Sequence, residues 1–330
     1  MSQPMRICIY GAGSIGCYLG AHLSQVPDVA VTMVARGATL AALRERGILL
    51  QGKQGDRVFP VAATSDPASL PPQDVVFITL KAHQVEESLP GIAALLGPET
   101  AVVPPTTGIP YWYFHGLAGP HQGRQLERLD PGGRQWATLR PERAIGCTYW
   151  VGTDTTGPAA VHQAGPAGFP IGEPDGSSSP RLRRLHEAMT AAGLRAPIRA
   201  DIRGEIWAKM INSLVWNPLA TLTLAPLDAI ARSPDVIAIA RRCMEEAEAV
   251  ATALGATLPT TSQQRIDVTM SMTGHRMSML QDLERGRQLE YGILRDSIVA
   301  MREIAGLGTP TIDAMLALVA LRAEMAGVAA

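Results

Sequence analysis

The chain has 330 residues, 46% of them hydrophobic, and a formal net charge of -1. That length suits two ordinary domains with packed cores, and a near-neutral chain offers no broad basic field, which argues against nucleic acid or a membrane surface as its main partner. Cys8, Cys17, Cys147 and Cys243 are scattered without a C-x-x-C pair, which argues against a zinc site or a disulfide framework and for a reducing, cytoplasmic setting.

The first element is a short apolar strand, Arg6-Ile-Cys-Ile-Tyr10, running into Gly11-Ala12-Gly13-Ser14-Ile15-Gly16 and then a helix. This order is the phosphate-gripping start of a dinucleotide fold. Gly11 permits the tight turn, Gly13 lets the backbone approach a pyrophosphate, and Gly16 lets the helix pack on the strand. The helix N-terminus turns free N–H groups toward the anion. A plain turn needing only glycine's freedom is the alternative. The strand also starts so close to Met1 that a signal peptide has no room.

A second strand, Val29 to Val34, ends in Ala35-Arg36-Gly37 without the carboxylate that would read the ribose of NAD. The forked cation of Arg36 suits a 2′-phosphate and points to NADP(H), unless it is a solvated strand-end arginine. A hairpin-like stretch, Gly47 to Val61, precedes the apolar run Asp74 to Leu80, fit for a buried parallel strand. Lys81 and Gln84 follow at once. Ligands of open α/β sheets gather at the carboxyl ends of strands, so Lys81 is placed either to meet the cofactor or simply at the surface. A further strand, Ala101 to Val103, ends in Pro104-Pro-Thr-Thr107-Gly108.

From Tyr111 to Arg143 the sequence is irregular, with the aromatic run Tyr111-Trp-Tyr-Phe114. Such a long loop is expected as a lid or binding feature, or as cover for a sheet edge or a subunit contact. A β-rich segment, Ala144 to Glu173, closes the first domain, and Gly176 to Pro180 makes a turn before a helix. Helical periodicity then dominates: Ile202 to Trp216, Asp235 to Leu254, Met277 to Glu284, Tyr291 to Ile304 and Thr311 to Met325. The expected fold class is α/β, with an N-terminal dinucleotide-binding domain over 1–199 and an all-α domain over 200–330. No apolar run reaches membrane-spanning length, and the histidines show no metal-binding spacing.

In the first of these helices Lys209, Ser213 and Asn217 share a stripe, with Asn212 beside it, framed by Trp207, Met210, Leu214 and Trp216. Two readings stand. A partly buried lysine there loses hydration, which lowers its pKa and equips it to exchange protons near neutrality. Alternatively the stripe is the solvated face of an amphipathic helix.

The chain resembles the ketopantoate reductase (2-dehydropantoate 2-reductase) family over nearly its whole length. Four blocks carry the likeness: Gly11 to Gly16, Thr79-Leu-Lys81-Ala-His-Gln84, Trp207-Ala-Lys209 through Asn217-Pro-Leu219, and Ser278-Met-Leu-Gln-Asp-Leu-Glu-Arg-Gly-Arg-Gln-Leu-Glu290. The resemblance implies a Rossmann domain joined to a helical domain like that of 6-phosphogluconate dehydrogenase. It also implies hydride transfer from NADPH to a 2-oxo acid, ketopantoate or a bulkier relative. Lys209 matches the family's proton donor and Glu290 its active-site glutamate, which contacts substrate or cofactor. Asn217 and Ser278 match substrate positions, joined by Ser213 on the stripe and Asn212 beside it. Lys81 matches a cofactor contact, with Gln84 and Thr107 on the same side.

Several positions depart from the family pattern. Thr107, Ser213, Leu227 and His275 stand where asparagines are usual, and Tyr291-Gly292 replaces Ile-Asp. With the aromatic run at 111–114, these changes lead to the expectation of a bulkier or more aromatic 2-oxo acid. A β-hydroxyacid dehydrogenase and an NADPH-binding sensor without turnover are the alternatives. A small-molecule 2-oxo acid is the expected partner, and a homodimer is left open.

Overall fold

The structure, a computed structural model, describes residues 3–53, 55–105 and 107–328. It separates into two compact units, one of Met1–Thr106 with Pro110–Ile202, the other of Thr107–Ile109 with Arg203–Ala330.

The first unit begins with β1 (Met5–Tyr10), α1 (Ser14–Leu23), β2 (Val29–Val34) and α2 (Gly37–Arg46). The hairpin β3 (Ile48–Gln51) and β4 (Arg57–Phe59) follows, then β5 (Ala62–Thr64), β6 (Gln73–Ile78), α3 (Val85–Ala93) and β7 (Leu96–Val103). β1, β2, β5, β6 and β7 form one parallel sheet in the order β5-β2-β1-β6-β7. Its central strands are covered on both faces: Ile7, Cys8, Ile9, Val76, Phe77 and Ile78 expose nothing. That is why they read as unbroken apolar runs rather than alternating ones. The strand order reverses between β1 and β6, which is where a doubly wound sheet receives its ligand.

The Gly47 to Val61 stretch does form a hairpin, with Ile48 opposite Phe59. It belongs to a second sheet, of order β4-β3-β10-β9, completed by β9 (Trp150–Gly157) and β10 (Ala160–Gly168). Helix α1 packs on β1 and β2 of the first sheet and on β3, β9 and β10 of the second. Tyr18 of α1 stacks on Phe169 at 5.9 Å between centroids.

The irregular stretch 111–143 corrects an expectation. Tyr111, Trp112, Tyr113 and Phe114 are all buried, at 3% exposure or less. Tyr113 meets Phe114 edge to face at 5.0 Å, and Phe114 meets His121 at 5.6 Å. Four adjacent rings carry too much apolar area to stay in a mobile lid, and here they become core. The segment also holds a short helix, α4 (Arg134–Leu139), which packs on α3. A two-strand ladder, β8 (Gly146–Cys147) with β11 (Ile171–Gly172), and α5 (Pro180–Ala191) complete the unit. The Ser179 hydroxyl caps α5 by accepting from the Leu182 amide at 3.1 Å.

The second unit is helical among the described residues: α6 (Ile202–Thr223), α7 (Leu227–Ala231), α8 (Pro234–Ala253), α9 (Ser262–Met270), α10 (Ser278–Glu284), α11 (Tyr291–Ala305) and α12 (Pro310–Met325). α6 runs past Asn217-Pro218, where the sequence suggested an end. Pro218 removes one hydrogen bond, but Leu219, Ala220 and Thr221 beyond it are buried, and that packing holds the helix together. α8, α11 and α12 pack together, and Met244, Ala247, Ile298, Met301, Ile312 and Leu316 are buried on them. Glu246 of α8 accepts from the Thr311 and Ile312 amides at 2.9–3.0 Å, satisfying the first turn of α12. No helix among the described residues is long and apolar enough to cross a membrane.

Candidate active site

The turn from β1 into α1 is pinned from both flanking strands of the first sheet. The Gly11 amide donates to Val34 O at 3.1 Å, and the Thr79 amide donates to Tyr10 O at 3.0 Å. The Thr79 hydroxyl donates to Gly11 O at 2.8 Å. Gly11 sits at φ +113°, a conformation side chains avoid, and a Cβ on Gly16 would stand 2.1 Å from the Gly11 carbonyl oxygen. A Cβ on Gly13 would meet nothing within 4 Å. Gly13 is the exposed N-cap of α1, has no side chain to occupy the helix's first N–H groups, and is flanked by half-buried Ala12, Ser14 and Ile15. The free amides at the start of α1 could hold a pyrophosphate.

Arg36 is exposed, at the end of β2 and the N-cap of α2. No carboxylate stands at residues 35–37, and the guanidinium is the only ionic group there. Lys81 is half-buried, beyond β6 and at the start of a single helical turn over Ala82–Gln84. Gln84 Oε1 accepts from the Lys81 amide at 3.3 Å, so its amide oxygen helps fix the backbone of that turn. Burial and the Lys81 charge both lower the pKa of neighbouring His83.

In the second unit, the structure decides between the two readings of the Lys209 stripe. Every residue of α6 from Ile202 to Thr221 is buried except Lys209, Asn212 and Ser213. These three fall at i, i+3 and i+4, so they form one break in the cover of a helix enclosed on its other faces. A solvated amphipathic face is thereby excluded. Trp207, Met210, Leu214 and Trp216 surround the break and expose 1% or less. Loss of hydration pushes the Lys209 ammonium down to about 8, and the Glu290 carboxylate works against that shift. Glu290 is half-buried at the N-cap of α11, where the helix dipole favours its negative charge.

Asn217 is buried two turns after Lys209 along α6. Its Oδ1 accepts from the Ser278 hydroxyl at 3.4 Å and from the Met279 amide at 3.2 Å. Asn217 therefore seats the N-terminus of α10, with only Nδ2 left to offer elsewhere. Ser278 itself is exposed. Thr107 is half-buried and lies with the helical unit, just before Gly108 at φ +82°. A Cβ on Gly108 would stand 2.4 Å from Ser297 Oγ, and that hydroxyl accepts from the Ile109 amide at 2.9 Å.

The structure thus couples Lys209 with Glu290, and Asn217 with Ser278. Sequence reasoning quoted Thr79 within a family block without giving it a role and missed Ser297; the two fix the backbone at Gly11 and Ile109. The available signals were a lone hydroxyl ending an apolar strand and a buried serine on an otherwise apolar helix face. Leu227 and His275, at two of the departures from the pattern, are joined by a Leu227 amide to His275 O bond of 2.9 Å. Tyr291 is buried, with the Arg295 guanidinium 6.0 Å from its ring centre.

Comparison with known proteins matches the model of the ketopantoate reductase PanE/ApbA family over residues 7–109 and that of its C-terminal domain over 201–323. A 2-dehydropantoate 2-reductase of Mesorhizobium japonicum is 41% identical over 96% of this chain and 97% of its own. One from Archaeoglobus fulgidus is 27% identical over 92% and 93%. Among solved structures, a PanE/ApbA family ketopantoate reductase from Ralstonia eutropha JMP134 superposes with a TM-score of 0.81 at 26% identity, covering 98% of this chain and 100% of that one. A D-mandelate dehydrogenase held with NADH and anilino(oxo)acetate shares the fold at a TM-score of 0.83 and 19% identity, covering 98% and 100%. The chain belongs to the ketopantoate reductase family.

Proposed function

We propose that the protein reduces the 2-oxo acid 2-dehydropantoate to its 2-hydroxy acid with NADPH, and that Lys209 donates the proton. One observation carries the reading: the single break in the cover of α6 holds an ammonium brought down to about 8 and coupled to a carboxylate. A general acid works best when its pKa lies near the operating pH. The names of the relatives, above all the one at 41% identity, support the substrate.

NADPH, when bound, supplies the hydride. Reduction of the carbonyl carbon would build negative charge on the carbonyl oxygen. The Lys209 ammonium stabilises that charge and then passes a proton from Nζ to the oxygen, leaving a neutral amine. Glu290 favours the charged form of Lys209 and so keeps the acid loaded. Asn212, Ser213 and the Nδ2 of Asn217 are the donors we assign to the substrate's oxygens, and Ser278 joins them by turning its hydroxyl proton from Asn217 Oδ1 to the substrate. On the cofactor side, the amides of Gly13 to Gly16 at the start of α1 would take the pyrophosphate, on the turn that Gly11 and Ala12 shape, and Arg36 the 2′-phosphate, with Lys81, Gln84 and Thr107 as further contacts. Residues 1–199 would then serve the cofactor and 200–330 the substrate.

The aromatic run at 111–114 lends no support to a bulkier substrate, because all four rings are spent on the core. The test is cofactor oxidation with 2-dehydropantoate, branched 2-oxo acids and aryl 2-oxo acids, each with NADPH and NADH. NADPH-selective turnover led by 2-dehydropantoate is the expected result; cofactor binding without turnover of any 2-oxo acid would overturn it.

A further inference from the structure

Between α9 and α10 the backbone runs exposed from Met270 to His275, and it ends at Ser278. The apolar side chains of Met270 and Met272 are 53% and 38% exposed, so packing does little to hold this stretch. Its start is tied back to α9 by the Ser271 and Met272 amides, which donate to Val268 O and Thr269 O at 3.2 and 3.0 Å, and its far end is tied to the first turn of α7 by two hydrogen bonds. The Gly274 amide donates to Asp228 Oδ1 at 3.0 Å, and the Leu227 amide donates to His275 O at 2.9 Å. Gly274 adopts φ +67°, the left-handed turn that presents its amide to the carboxylate. Downstream, Asn217 receives Ser278 and Met279. Ser278 is therefore the last residue of a short bridge anchored at one end on α7 and at the other on α6.

We propose that Asp228 is a positioning residue for the substrate: through Gly274 it fixes the loop that presents Ser278 to the 2-oxo acid. The inference rests on the reading of Ser278 as a substrate contact. The bond joins a charged acceptor to a backbone amide, the stronger kind of hydrogen bond, and it ties residue 274 to α7 beside the Leu227 amide to His275 O bond. The carboxylate's other partner, Arg232, is an exposed i+4 neighbour on the same helix, at 3.1 Å, and such surface pairs contribute little. The work of Asp228 is thus directed at the loop. The lowered pKa of Asp228 has the Gly274 amide as its main cause, in keeping with this.

Asp228→Ala removes the acceptor, whereas Asp228→Asn keeps an oxygen for the Gly274 amide and gives up only the charge. Asp228→Ala is expected to raise KM for the 2-oxo acid about fivefold or more. It should leave kcat within about twofold and NADPH affinity unchanged. Asp228→Asn should return KM most of the way. In a Ser278→Ala background the Asp228→Ala change should add little, since both act through one hydroxyl. Hydrogen exchange read by mass spectrometry should quicken over residues 270–279 in Asp228→Ala and stay slow over α6. Unchanged exchange over 270–279, or KM effects that add in full to those of Ser278→Ala, would overturn the proposal. If Ser278→Ala alone leaves KM unchanged, the substrate role of Ser278 falls, and this inference with it. If no 2-oxo acid is reduced, the functional reading fails by itself, and exchange still decides whether Asp228 holds the loop.

Discussion

A Cβ on Gly16 would stand 2.1 Å from the Gly11 carbonyl oxygen, so α1 starts in contact with the turn that precedes it. The atom it would meet is backbone, already accepting the Thr79 hydroxyl, and has no room to yield. Gly16→Ala is expected to cost about 1–3 kcal/mol of stability and most of the NADPH affinity. Gly13→Ala meets open space and should melt like the parent, yet bind NADPH more weakly because the methyl lies where a pyrophosphate would approach. Thermal melting and cofactor fluorescence titration separate the two effects. Equal melting losses in both variants would contradict this account of the cradle.

Lys209 must carry its proton to act as an acid, and its ammonium titrates at about 8. The rate of 2-oxo acid reduction should therefore be flat below that pH and fall about tenfold per unit above it. Glu290 raises the Lys209 pKa against the larger effect of burial. Glu290→Gln should move the alkaline limb to lower pH as well as slow turnover. A limb that stays in place after the substitution would uncouple the two residues.

Arg36 is exposed at the end of β2, between Ala35 and Gly37 in the chain. Arg36→Ala should raise KM for NADPH by about tenfold or more while changing that for NADH little, as expected for loss of a charge-assisted contact to phosphate. Equal changes for both cofactors would remove Arg36 from reading the phosphate.

Ser297 holds the Ile109 amide at 2.9 Å inside the helical unit, and both residues are buried. Ser297→Ala strands that amide and should cost about 1–3 kcal/mol in denaturant unfolding. Gly108→Ala should cost at least as much, because it adds a strained positive φ to a 2.4 Å contact with the same hydroxyl.

The parallel sheet and the glycine cradle were legible because period and turn chemistry are local. Lys209, Ser213 and Asn217 were legible as a stripe for the same reason. Whether that stripe faced water depended on how Trp207 and Trp216 were covered by distant residues, which spacing does not encode. The bond from Ser278 to Asn217 spans 61 positions and left no local trace. Pro218 misled in the other direction, because burial of the next turn outweighed a missing hydrogen bond. α7 has five residues, too few to show a period, and α9 lacks an apolar stripe, although its Thr261-x-x-Gln264 capping box was there to be read. The aromatic run at 111–114 reads from its irregular surroundings either as a lid or binding feature or as cover for a sheet edge or a subunit contact, and burial of all four rings sets the lid aside. Glu290 came from family resemblance alone; nothing in its spacing tied it to Lys209.

The most direct test is kcat for NADPH-dependent reduction of 2-dehydropantoate by the parent and by Lys209→Ala, with NADPH affinity measured on both. Turnover should fall by about two to four powers of ten with cofactor binding intact. Turnover within a few-fold of the parent would contradict the central claim that Lys209 delivers the proton.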